Sequence, residues 1–204
     1  MTFSPAERRS QDSVNAHQVS VGPPMIPEVL HAHLEEFQFL CGQFQNALRS
    51  PDYRRRDLEP LARRIAAHLD GIVVAGEAAV PLLEAGLAAD EPQAAFAAAY
   101  ILLRMNSKAG QRVLDAFLQA KAGQLEGLCR ALCQSTLGTM EDQLRQEVTS
   151  SPATIAVAAA EVLAFHRKLG PLAKRLDDFL KDDNPEVRRC AWRVTALLGT
   201  VAAR

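Results

Sequence analysis

The chain repeats itself at intervals of about thirty residues, and that period restricts the fold more than any other property of the sequence. Leu83-x-x-x-Leu87, Leu114-x-x-x-Leu118, Leu144-x-x-x-Val148 and Leu176-x-x-x-Leu180 follow one another at steps of 31, 30 and 32 residues. A second apolar set trails each of them in a constant register: Ala94, Ala98 and Ile101, then Leu125, Cys129 and Leu132, then Ile155, Ala159 and Val162, then Val187, Ala191 and Val194. Spacings of three and four place each set on one face of an α-helix. Pro92, Pro152 and Pro185 open second helices, where a missing N–H costs no hydrogen bond. A helix pair of this length cannot bury its apolar faces alone, so successive pairs must stack.

The last copy is the clearest. Asn184 is an N-cap residue, Pro185 suits the first helical position, and Gly199 is placed to stop the helix that carries Val187, Ala191, Val194 and Leu198. The turn Asp182-Asp183-Asn184-Pro185-Glu186-Val187-Arg188 resembles that of a HEAT repeat, Asp-x-x-Pro-x-Val-Arg between two antiparallel helices. The resemblance implies that Asp182 or Asp183 and Arg188 hydrogen-bond between neighbouring repeats. Only this copy carries the signature; the others rest on the period. The expected fold is all-α, a HEAT-like α-solenoid of antiparallel helix pairs with an N-terminal helical hairpin. It divides into a disordered tail at 1–24, the hairpin at 25–76 and about four repeats at 77–204.

Residues 1–24 show no periodicity. Pro27 then starts a helix to about Arg49, with Val29, Leu30, Leu34, Phe37, Leu40, Cys41, Phe44 and Leu48 on its apolar face. Ser50-Pro51-Asp52 ends it, because a residue before proline avoids the helical region. Asp57 is expected to cap a second helix whose stripe is Leu58, Leu61, Ile65, Leu69 and Val73, ending at Gly76. The strings His33-Leu34-Glu35-Glu36, Ala47-Leu48-Arg49-Ser50-Pro51, Ala67-His68-Leu69-Asp70-Gly71 and Val74-Ala75-Gly76-Glu77-Ala78 are similar to the opening of a bacterial family of uncharacterised HEAT-repeat proteins. The genes of that family tend to lie in type VI secretion and effector loci. The resemblance covers residues 28 to 105; members are usually longer, so this is a short member or a fragment. It implies a cytoplasmic accessory protein: a chaperone, co-chaperone or adaptor for a secretion effector.

Composition narrows the function classes. The net charge is −1, whereas a general nucleic-acid binder is usually basic. Apolar residues make up 48% and aromatics only 5%, which suits close-packed helices. The longest apolar stretch, Ile72 to Leu83, is interrupted by Gly76, Glu77 and Pro81, so no membrane span is expected. Cys41, Cys129, Cys133 and Cys190 lie in helical patterns without a disulfide framework, which fits a reducing, cytoplasmic setting.

No constellation carries a clear chemistry. Cys129 and Cys133 share a helix face but lack two further metal ligands, so core packing is expected. His31 and His33 point apart on one helix. His68 with Asp70 reads either as a base oriented by a carboxylate or as a local cap near a helix end; no nucleophile stands nearby, so the cap is preferred. Arg54, Arg55 and Arg56, with Arg63 and Arg64, are interspersed with Asp52, Asp57 and Glu59 and are expected to pair with them. Phosphate-binding, dinucleotide and zinc-protease motifs are lacking. The expectation is therefore a protein-binding scaffold, not an enzyme, with no cofactor and no metal.

Its alternatives are an immunity protein blocking a toxin, a HEAT-like cofactor lyase such as a phycobilin lyase, and a DNA-glycosylase-type enzyme. Trp192, Arg189 and Arg193 are the candidate partner-binding residues, because a tryptophan among arginines matches interface hot spots. Against this stands the expectation that Trp192 is buried at a repeat junction. Leu172, Leu176, Phe179 and Leu180 are expected to form an uncovered apolar end, open to a partner protein or to a second copy of the chain.

Overall fold

Pro27 opens the first helix, α1 (Pro27–Arg49), and Ser50 in extended conformation before Pro51 closes it. The computed structural model describes residues 26–105 and 109–199, so the tail expected at 1–24 lies outside the described residues. Helix α2 (Arg55–Ala75) begins two residues before Asp57. Asp57 therefore stands inside the first turn rather than at the cap, where its carboxylate accepts the Arg54 N–H at 2.9 Å. Gly76, at φ 56°, ends α2 as expected, and a 3-10 turn (Gly76–Ala79) leads into α3 (Val80–Leu87). The remaining helices are α4 (Pro92–Met105), α5 (Ala109–Leu118), α6 (Ala122–Cys133), α7 (Met140–Ser150), α8 (Ala153–Phe165), α9 (Leu176–Leu180) and α10 (Pro185–Leu198). The first helix of the last pair, marked in the sequence by Leu176-x-x-x-Leu180, is a 3-10 turn (Gly170–Arg175) followed by the short α9. The described residues are all-helical, with no strand.

The helices pair as α3 with α4, α5 with α6, α7 with α8 and α9 with α10, and the second members α4, α6, α8 and α10 pack on one another in that order. The residue types explain why the second helices form the inner row. Helix α8 reads Ile-Ala-Val-Ala-Ala-Ala from Ile155 and buries nine residues, because small side chains let neighbours approach from several sides. Between α4 and α6 the approach is closer still. A Cβ built at Gly127 would fall 2.2 Å from the Pro92 carbonyl oxygen, and one at Gly123 would fall 2.6 Å from that of Asp90. Gln124, the buried polar residue of this junction, donates its amide to the Leu87 carbonyl.

The N-terminal hairpin is wired in the opposite sense. Helix α1 packs on α2 and also on α4, so it occupies the place ahead of α4 in the row. Phe37 of α1 stacks on Tyr100, which stacks on Phe96 of α4, with ring centroids 6.2 and 5.6 Å apart. Here the row helix comes first and the flanking helix second, the reverse of the later pairs. As the flanking helix at one end, α2 is thinly covered. Ile72 is its one fully buried residue; the expected stripe of Leu58, Leu61, Ile65, Leu69 and Val73 is only half-buried, and Val29 and Leu48 of α1 are exposed. The run Arg55–Leu87, which spans α2, the 3-10 turn and α3, contains an 18-residue window of mean hydropathy 1.4 and is long and apolar enough to cross a membrane by length and composition alone.

At the other end, Asn184 Oδ1 accepts the Glu186 N–H at 2.9 Å, Pro185 takes the first helical position, and Gly199 adopts φ 66°, each as its residue type demands. The Asp–Arg expectation is corrected. Arg188 donates to the backbone carbonyls of Asp182 and Asp183, at 2.6 and 2.8 Å, within its own turn. Asp182 Oδ1 is taken by the Asn184 N–H at 2.8 Å. The apolar end is corrected too: Leu176 and Phe179 are buried, and Leu172 and Leu180 pack against the core.

Candidate interaction groove

Helices α6, α8 and α10 lie side by side, and their free faces enclose two adjoining cavities. The first, of about 150 Å³, has an apolar floor of Leu125, Val157 and Val187 and a rim of Glu126, Glu186 and Arg189. The second, of about 450 Å³, is lined by Arg130, Cys133, Gln134, Phe165, Ala196 and Leu197. Glu161 and Arg193 line both cavities and divide them. The divider is rigid: Arg193 Nε and Nη2 donate to Glu161 Oε1 and Oε2 at 2.8 and 2.7 Å, a two-point fit of fork to carboxylate. The Glu161 carboxylate holds the Arg193 guanidinium above its ordinary pKa. Cys190 Sγ donates to Glu161 Oε2 at 2.9 Å, so the carboxylate is fixed from two sides.

Two of the three thiols of this region are held protonated by their surroundings. A hydrogen bond with Cys133, together with burial, raises the Cys129 thiol well above its ordinary pKa, and burial followed by the Glu161 charge raises that of Cys190. A thiol held protonated is a poor nucleophile and a poor metal ligand. Cys129 is buried in the core as expected, and Cys133 is half-buried. Arg130 lies over the Phe96 ring at 4.5 Å and donates from Nη2 to Gln93 Oε1 at 3.0 Å; burial lowers its pKa. Its buried Nε has no hydrogen-bond partner among the described residues. Outside both cavities, His166 Nε2 is 3.0 Å from the Leu132 carbonyl. A carbonyl only accepts, so that nitrogen carries the proton.

The candidate residues of α10 divide between two faces. Arg189 and Arg193 line the groove, Arg189 paired with Glu186 on its own helix and Arg193 with Glu161. Trp192 lines neither cavity and is 63% exposed, which overturns its expected burial at a junction. Seen down α10, Val187, Cys190, Ala191 and Val194 face the core, and Trp192 lies nearly opposite them. Phe165 and Leu197, which the sequence did not single out, are 49% and 43% exposed at the lip of the second cavity. Their signal was present in the register: they follow Val162 by three and Val194 by three, just off the buried stripe.

The other candidates sit outside this groove. Arg63 pairs with Glu59 at 3.0 Å and Arg56 with Asp57 at 3.7 Å, as expected, whereas Arg64 pairs with Glu36 of α1 at 3.6 Å. His31 faces outward to Glu35 at 3.3 Å. His68 does not cap anything: α2 runs on to Ala75, so His68 and Asp70 are mid-helix, and His68 meets His33 of α1 while Asp70 is exposed. Among the described residues no three His, Cys, Asp or Glu side chains are grouped to hold a metal ion. In comparisons with known proteins, no family model, no curated protein and no solved structure matches the chain.

Proposed function

We propose that the row of paired helices is a HEAT-like solenoid and that it acts as a non-enzymatic protein-binding scaffold. The observation that carries this reading is the groove of α6, α8 and α10: an apolar floor beside a prebuilt Glu161–Arg193 pair, with Phe165 and Leu197 exposed at its lip and Trp192 exposed on the adjacent face of α10. Large apolar side chains next to fixed guanidinium groups are the composition of interface hot spots. Cys129 and Cys190, held protonated, are poor nucleophiles in the first cavity. The likeness of the N-terminal strings to HEAT-repeat proteins of type VI secretion loci narrows the proposed partner to a secretion effector or its chaperone, with this chain as chaperone, co-chaperone or adaptor in the cytoplasm.

The test is co-purification of the full chain from its host, alongside the double variant Trp192→Ala, Arg189→Glu. A secretion component that follows the parent chain and is lost with the variant supports the proposal. Equal recovery with both chains removes the α10 surface, and recovery of no partner protein overturns the scaffold reading.

A further inference from the structure

We propose that His33 and His68 form a chelating site for a late divalent transition ion, clamping α1 to α2. The two Nδ1 atoms lie 3.0 Å apart across the hairpin, in partly buried rings whose planes meet at 62°. Imidazole nitrogens bind such ions at about 2.0–2.1 Å, so two nitrogens at this separation subtend an angle of about 95° at a shared ion. That is the cis angle of a tetragonal or octahedral site; a tetrahedral one would need about 3.3 Å between the nitrogens. Nickel(II) and copper(II) favour this arrangement with nitrogen ligands.

Two further features fit. Gly71, one turn from His68, gives the His33 ring room to lie against α2 beside His68: a Cβ there would lie 3.0 Å from Cε1 and 3.2 Å from Nδ1. Glu36 is three residues beyond His33 on the same helix face, and its present partner Arg64 holds it only by an exposed pair at 3.6 Å. It can leave that pair and become a third ligand, with water in the remaining positions. No three such ligands are preassembled among the described residues, so Glu36 must move to join the two histidines. The proton balance is simple. One ring begins as the Nδ1–H tautomer, donating to the other Nδ1. On binding, that proton transfers by way of solvent to Nε2 of the same ring, so both Nδ1 lone pairs face the ion and no proton is lost overall. The benefit is local: α2 has Ile72 as its one fully buried residue, and a ligand that binds only the folded hairpin stabilises it.

The experiment is a calorimetric titration of the untagged full chain with nickel(II) chloride, followed by thermal unfolding with and without the ion. The expected result is one saturable site of micromolar affinity and a higher unfolding midpoint. His33→Ala and His68→Ala should each weaken binding at least about tenfold, the scale of a lost ligand or its support. His31→Ala and His17→Ala, the latter outside the described residues, should leave it unchanged. Copper(II) electron paramagnetic resonance on the parent chain gives a readout that needs no variant: coupling to two equivalent nitrogens is expected. No saturable binding, binding retained in both α1 and α2 variants, or a copper spectrum without nitrogen coupling overturns the proposal.

Discussion

Single side chains here carry charge states that their neighbours dictate, and the cysteines make this measurable. Burial pushes the Cys41 thiol from 9.0 up to about 12, against a small opposing effect of Arg130. A thiol with a raised pKa in the fold stabilises the fold fully below its unfolded value. That contribution is lost as pH rises from about 9 through 12, because the unfolded chain ionises first. Cys129 and Cys190 shift in the same direction, so stability should decline steeply on the alkaline side. In Cys41→Ala the decline from pH 9 upward should be shallower, whatever the variant's absolute stability. Denaturant midpoints taken across that range check it, and parallel curves for parent and variant would refute it. Glu141 works on the acid side: Lys168, then Arg145, hold its carboxyl below the ordinary range, so its contribution is present at neutral pH and fades as pH falls through the folded value. At this scale the sequence was legible wherever the determinant is local. Asn184, Pro185 and Gly199 each act within one turn and did what their types demand. His33 and His68 are 35 residues apart, and their meeting depends on hairpin register, which no local pattern encodes. Arg188 met the right residues by the wrong atoms, because a motif does not distinguish an aspartate side chain from its backbone carbonyl.

Among helices, contact depends on which positions are kept small. Alanine at Gly127 would place its Cβ against backbone atoms of α4, 2.2 Å from the Pro92 oxygen and 2.9 Å from the Phe96 nitrogen, so α4 and α6 must separate. Overpacking of this kind costs about 1–3 kcal/mol or more, which outweighs the gain of up to about 1 kcal/mol in helix propensity. Gly42→Ala is the counterpart: its nearest neighbour is the Gln93 Nε2 at 3.9 Å, an ordinary contact, so it should stabilise α1 by about 0.5–1 kcal/mol. Chemical denaturation of both variants decides the matter, since equal effects would mean that the α4–α6 spacing is not set by Gly127. Periodicity also identified the elements better than their depth. Leu132 is fully buried, but Leu118 is half-buried and Phe117 beside it takes the core position of α5. Leu132→Asp should therefore cost several kcal/mol and Leu118→Asp distinctly less, since only the first buries a charge outright. The alternating wiring was invisible in the sequence for a related reason. An amphipathic helix announces a buried face but not the neighbour that buries it, and α1 reached α4 by aromatic stacking of Phe37 on Tyr100.

For the whole molecule, the row of α1, α4, α6, α8 and α10 ends on two unlike surfaces, and the consequences differ. At the α2 end the cover is thin, so amide exchange should be fastest in α2 and slowest in α4 and α8, whose residues are buried on several sides. At the α10 end the exposed groups are large and few. Trp192 is the single tryptophan of the chain and is 63% exposed, so removing it takes away little buried area. Arg189 bonds only Glu186 three residues earlier on the same exposed face, and its reversal to glutamate leaves the core untouched. Trp192→Ala with Arg189→Glu should therefore change unfolding stability by less than about 0.5 kcal/mol, the usual range for surface substitutions. Loss of a tryptophan–arginine hot spot costs about 2 kcal/mol in binding, roughly a 30-fold weaker partner affinity. The two readouts separate a docking surface from a structural one. The tryptophan itself reports the event, because its emission should be quenched readily by acrylamide in the free chain and shielded once a partner covers α10. Unchanged quenching in a saturated complex would place the partner elsewhere, on the groove of α6 and α8 or on the hairpin.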